Sequence, residues 1–140
     1  MRRSLRLSLL LPLLFVLLLP QGCAKKAPPL VLVSGRVTLD DHPVAHALVR
    51  FQPAEREIDG RPAPESYGET DEDGNYNLRA VLEKGDAEGA VVGEHYVQIS
   101  VFDRETGQEK MPAKYSTNST LTFPVPAGGT KEANFKLSRK

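Results

Sequence analysis

The chain has 140 residues and sets 18 lysines and arginines against 18 aspartates and glutamates, for a formal charge of +0. A single cysteine excludes an internal disulfide, and the absence of a basic stripe argues against nucleic acid as a partner. At this length one domain with one modest core is expected, built from Val, Leu, Phe and Tyr, since Trp is absent.

The first segment reads as a targeting sequence. Arg2, Arg3 and Arg6 form a basic start, and Leu7 to Leu19 is apolar apart from Ser8 and Pro12. That run is shorter than the roughly 20 residues a spanning helix needs, so it reads as the apolar region of a signal peptide. Pro20-Gln21-Gly22-Cys23 follows. Gly22 supplies a small residue at a cleavage point, and Cys23 is the sole cysteine. The arrangement resembles the lipobox of bacterial lipoproteins, with Pro20 where that pattern usually has Leu. The resemblance implies cleavage between Gly22 and Cys23 and lipid attachment at Cys23, with the protein held to a membrane of the cell envelope. The alternative is cleavage elsewhere, with Cys23 a free thiol. Removing residues 1–22 takes away three basic residues and no acidic ones, leaving a charge of −3. Residues 23–30, with Lys25, Lys26, Pro28 and Pro29, read as a short extended tether.

From residue 31 to 138 the pattern has period two. Val33, Gly35, Val37 and Leu39 share one face of a strand, and Asp40 to Pro43 turns the chain. Ala45, Ala47, Val49 and Phe51 form the inward face of a second strand. The stretch 52–66 is polar and proline-rich and reads as a long loop; 79–94 reads as another. Between them, Tyr67 to Leu78 reads as a tight hairpin turned by Asp71, Asp73 and Gly74, with Tyr76 and Leu78 inward. Val97, Ile99 and Val101 alternate in the clearest strand. Leu121, Phe123 and Val125 alternate too, but Pro124 and Pro126 place that strand at an edge. Ala133, Phe135 and Leu137 close the set. About seven short strands without an amphipathic helix predict an all-β fold, an antiparallel β-sandwich. A small barrel is the alternative.

Several residues in this frame resemble the carboxypeptidase regulatory-like domain, a transthyretin-like sandwich. They are Gly35-Arg36-Val37, Pro43-Val44, Ala47-Leu48-Val49, Thr70 to Leu78 and Gly93 to Ile99. Pro112-Ala113-Lys114-Tyr115 and the strands after it look like the tail of small planctomycete-type lipoproteins built on that domain. The resemblance implies a non-catalytic accessory or interaction module.

No catalytic or metal constellation emerges, and no cofactor is expected. Asp71-Glu72-Asp73-Gly74 offers oxygens, but the position twelfth from Asp71 is Leu82, so the calcium-loop register fails and a backbone turn explains the residues. His42 and His46 are separated by Pro43 and do not share a helix face; with His95 they read as surface or strand-edge residues. The chain has no Gly-x-Ser-x-Gly elbow, and it ends Leu137-Ser138-Arg139-Lys140, unlike the Tyr-Arg-Gly-Ser of the related hydroxyisourate hydrolases. Asn134 as an isopeptide partner would need a lysine on the first strand, which has none. Three functions follow for comparison: a lipid-anchored structural or protein-interaction module of the cell envelope, a carbohydrate-binding module using Tyr67, Tyr96 and Tyr115, or a small transthyretin-like hydrolase. The expected partners are a membrane and an envelope protein or glycan.

Overall fold

The computed structural model describes residues 27–140. Gly22 and Cys23, and with them the cleavage and lipid sites, lie outside the described residues. Within these the chain is all β, without a helix. The strands are β1 (Leu30–Val31), β2 (Ser34–Leu39), β3 (His42–Pro43), β4 (Leu48–Pro53), β5 (Glu57–Ile58), β6 (Arg61–Pro62) and β7 (Ser66–Glu69). They continue as β8 (Asn75–Asn77), β9 (Arg79–Ala80), β10 (Ala87–Glu88), β11 (Ala90–Val91), β12 (Gly93–Ser100), β13 (Leu121–Val125) and β14 (Phe135–Leu137). Seven of these have three residues or more, which matches the expected count; the rest are two-residue pieces.

One sheet has the order β10-β9-β7-β4-β12-β13, with every neighbouring pair antiparallel. The other has the order β14-β2-β3, with β8 also paired to β2. Their inward faces meet in one core, with Val37, Tyr76 and Phe135 from the smaller sheet against Val49, Phe51, Val97 and Ile99 from the larger. Phe51, Phe123 and Phe135 lie 5.8–6.1 Å apart and tie the two layers together. Tilted and edge-on contacts of this kind suit the aromatic quadrupole. As expected, β13 is an edge strand, and Pro124 leaves no ladder donor there.

Five details differ from the sequence reading. The 79–94 stretch, read as a loop, carries β9, β10 and β11, of which β9 and β10 continue the larger sheet beyond β7. The Asp71–Gly74 turn does not close a hairpin. β7 before it belongs to the larger sheet, while β8 after it pairs with β2, so the turn carries the chain from one layer to the other. The last strand, β14, runs parallel to β2. The 52–66 loop contains the β5–β6 ribbon, turned by Asp59 (φ 53°) and Gly60 (φ 73°). Consecutive positive φ values make the tight turn whose twist suits a two-residue ribbon. Leu30, assigned to the tether, already pairs with Val91 in the β1–β11 ribbon.

Candidate interaction face

β4 runs through the middle of the larger sheet, and Arg50 and Gln52 point to its outer side. The register sets Arg50 opposite Tyr67 of β7 and Gln98 of β12, and Gln52 opposite Tyr96. Glu65, just before β7, completes the group. Its Oε1 accepts from Arg50 Nη2 at 2.8 Å and its Oε2 from Arg50 Nε at 3.0 Å. Gln52 Nε2 donates to Oε1 at 2.8 Å and Tyr67 Oη to Oε2 at 2.6 Å. Arg50 Nη1 reaches Gln98 Oε1 at 3.1 Å, and its guanidinium lies 6.0 Å from the centre of the Tyr67 ring. The forked geometry of arginine makes this pairing directional as well as charged.

The electrostatics follow from those contacts. The hydrogen bonds from Arg50 and, more weakly, from Tyr67 and Gln52 hold the Glu65 carboxyl below the usual carboxylate range against its partial burial. The same bond raises Arg50 further, and the carboxylate of Glu65 raises the Tyr67 hydroxyl. Five side chains are thereby fixed on a solvent-facing surface. Beside them Tyr96 is 52% exposed and Leu48 41% exposed. Reading the strand parity finds Arg50, Gln52, Tyr96 and Gln98; Glu65 escapes it because it lies in the proline-rich stretch.

The residues singled out from sequence fall in different places. Asp71 Oδ1 accepts the backbone N–H groups of Asp73 at 3.0 Å and Asn75 at 2.8 Å, so its carboxylate organises the turn. Gly74 takes φ 79° there, next to the Val37 carbonyl and Pro43. Among the described residues no group of three or more His, Cys, Asp and Glu side chains is placed to hold a metal. His42 Nδ1 lies 2.7 Å from the Asp40 carbonyl. His46 stands between two carboxylates, Glu69 at 3.2 Å and Glu72 at 3.0 Å. Tyr67 and Tyr96 share the outer face of the larger sheet. Tyr115 does not join them: it sits in the 110–119 connection, packed against the core, with its hydroxyl donating to the Ser138 carbonyl at 3.0 Å. The three-tyrosine platform therefore does not assemble.

His95 corrects the sequence reading. It is 1% exposed, on the inward side of β12, with its ring 5.7 Å from that of Phe51. Nδ1 lies 2.9 Å from the Gly93 carbonyl, which assigns the proton to that nitrogen, and Nε2 meets no partner among the described residues. Burial pushes its pKa below the ordinary histidine value, with the Gly93 carbonyl and the charge of Glu94 pulling the other way. The unfolded chain therefore binds the proton more readily than the folded one. Stability is fully present above about pH 6.5 and is lost as the pH falls toward the lower, folded-state value. Urea midpoints at pH 7.5 and 5.0 are expected to fall with acid in the wild type and to fall less in His95→Leu. Parallel losses in both proteins would remove His95 from the account.

No protein-family description, curated protein or solved structure matches the chain.

Proposed function

We propose that this protein is a non-catalytic, lipid-anchored β-sandwich of the bacterial cell envelope that acts as a protein-interaction module through the outer face of its larger sheet. The observation that carries the reading is the Arg50–Glu65 lattice. It holds Tyr67, Gln52 and Gln98 in place at the surface, next to exposed Tyr96 and Leu48. Side chains ordered before contact lose less freedom on binding, and Tyr and Arg are the residue types most often dominant at protein interfaces. The resemblance to carboxypeptidase regulatory-like domains points the same way. The anchor rests on the basic start, the apolar run and Gly22-Cys23 in sequence. Two or three acyl chains would make attachment stable, because a single chain binds only reversibly.

Two measurements test it. The mass of the N-terminal peptide from native protein should be that of an acylated Cys23; an unmodified peptide beginning elsewhere would remove the anchor. A photoreactive residue at position 96 should trap a distinct protein in intact cells, and the same residue at position 104, on an exposed turn, should not. Equal trapping at both positions, or none at 96, would remove the interaction face.

A further inference from the structure

The outer face of the smaller sheet has a different chemistry from the rest of the domain. Five of the 18 basic residues precede Ala27 and none of the 18 acidic ones does, so residues 27–140 carry a charge of −5. Yet no outward strand position on this face holds a carboxylate. Asn77 lies opposite Ser34 and Asn75 opposite Arg36 across the β2–β8 ladder. Lys136 lies opposite Thr38 across the β2–β14 ladder. Asn134 sits beside Arg36, its Oδ1 accepting the Arg36 backbone N–H at 2.9 Å.

At the end of the sandwich where the chain enters, the face runs into a cleft of about 610 Å³ lined in part by Leu32, Ser34, Asn77 and Lys131, and also by Glu88, whose carboxylate is paired with Arg79 at 3.9 Å. Lys131 is held at the level of Ser34, because Ser34 N–H donates to the Thr130 carbonyl and Ala133 N–H to the Ser34 carbonyl. Arg36 and Lys136 therefore stand at successive outward levels of β2, about 7 Å apart, with exposed Lys131 at the next level, in the lining of the cleft. None of the three forms an ion pair among the described residues. Arg36 Nε is bound to the Asp73 carbonyl at 2.8 Å, which aims the guanidinium, and its Nη groups have no hydrogen-bond partner among the described residues.

We propose that this face and its cleft bind an acidic polysaccharide, one that carries carboxylate or sulfate groups along a hydroxyl-bearing chain. The row of cations answers the row of anions. The asparagine amides answer the hydroxyls between them: Asn77 as donor and acceptor, Asn134 through its N–H groups since its Oδ1 is taken by Arg36, and Asn75 chiefly through its oxygen since its Nδ2 donates to Asp71 Oδ2 at 3.4 Å. Among the described residues no Phe, Tyr or Trp stands at the outward positions of β2, β8 and β14 to stack a base, which sets the face apart from a single-stranded nucleic-acid platform. The site is separate from the Arg50–Glu65 face and does not depend on it.

The full chain, purified in detergent micelles, is titrated calorimetrically with a galacturonic acid hexamer, a glucose hexamer, an oligo-dT of equal charge and phosphatidylglycerol vesicles. Binding of the acidic hexamer alone is expected, weakening as salt screens the charges. Lys136→Glu, which removes a side chain with no hydrogen bond or ion pair among the described residues, and Arg36→Gln should each reduce it at least tenfold at an unchanged melting temperature; Arg104→Gln should leave it as it was. Unreduced binding by Lys136→Glu would overturn the proposal, and so would equal binding of the neutral hexamer. Preference for oligo-dT or for vesicles would replace it with a general polyanion or lipid surface. No binding of the acidic hexamer would end it.

Discussion

Tyr76→Ala is expected to destabilise the domain by roughly 3–5 kcal/mol, the range found when a buried aromatic is cut back to Ala. Domains of this size are stable by only about 5–15 kcal/mol, so much of the margin would go. Tyr76 is 2% exposed on the inward side of β8. Its ring approaches the place where Gly68 of β7 has no side chain, and its hydroxyl donates to the Ala133 carbonyl at 2.6 Å. One side chain thus touches both sheets and the segment leading into β14. Burial pushes the Tyr76 hydroxyl far above its ordinary pKa, so it stays a neutral donor. Tyr76→Phe separates the two contributions. It keeps the ring and removes the hydroxyl, and is expected to cost about 1–3 kcal/mol for a buried carbonyl losing its partner. Urea denaturation of the chain lacking residues 1–23 measures both. A Tyr76→Ala midpoint equal to wild type would show that the ring is not part of the core.

The fold was legible where its cause was local. Period-two alternation placed Val33, Gly35, Val37 and Leu39 inward, and likewise Val97 and Ile99, because one buried face leaves little freedom of register. The turn at Asp71 to Gly74 was legible for the same reason: its hydrogen bonds run between near neighbours. The partner of the strand after it was not. β8 pairs with β2, about forty residues earlier, and nothing in a turn sequence says which strand lies across the layer. The parallel seating of β14 on β2 is non-local in the same way. Asp59-Gly60 could have been read, since that dipeptide favours a two-residue turn, but the prolines around it suggested a loop. His95 shows residue type misleading where position would not have. The parity that buries Val97 and Ile99 also buries His95 two residues earlier. Of the Arg50 lattice, the strand residues followed from alternation, whereas Glu65 enters through the path of the chain into β7.

Gly35→Ala is expected to be the most damaging single-methyl change, costing about 3 kcal/mol or more, at the top of the range for overpacking. Gly35 lies on the inward side of β2, directly across the ladder from Tyr76. A Cβ built there would fall within the van der Waals envelope of the Ala133 carbonyl and 3.0 Å from Ala133 Cα. These are backbone atoms, so no rotamer change relieves the clash, and the 131–134 segment must move outward. That segment is fixed from three sides. Ala133 N–H donates to the Ser34 carbonyl at 3.0 Å, Ala133 O accepts from Tyr76, and Asn134 accepts from Arg36 N–H. Displacing it loosens all three and the parallel seating of β14 behind them. A loss of that size lowers the melting temperature of a domain this long by roughly 10 °C. Gly128→Ala is the matched control: a Cβ there meets no atom within 4 Å. Removing a glycine at such an open position narrows the unfolded ensemble and is expected to leave stability unchanged or slightly raised. The two variants, melted side by side, separate close approach of backbone from the general cost of replacing a glycine. A Gly35→Ala protein that melts with Gly128→Ala would mean that the Ala133 carbonyl does not sit against β2.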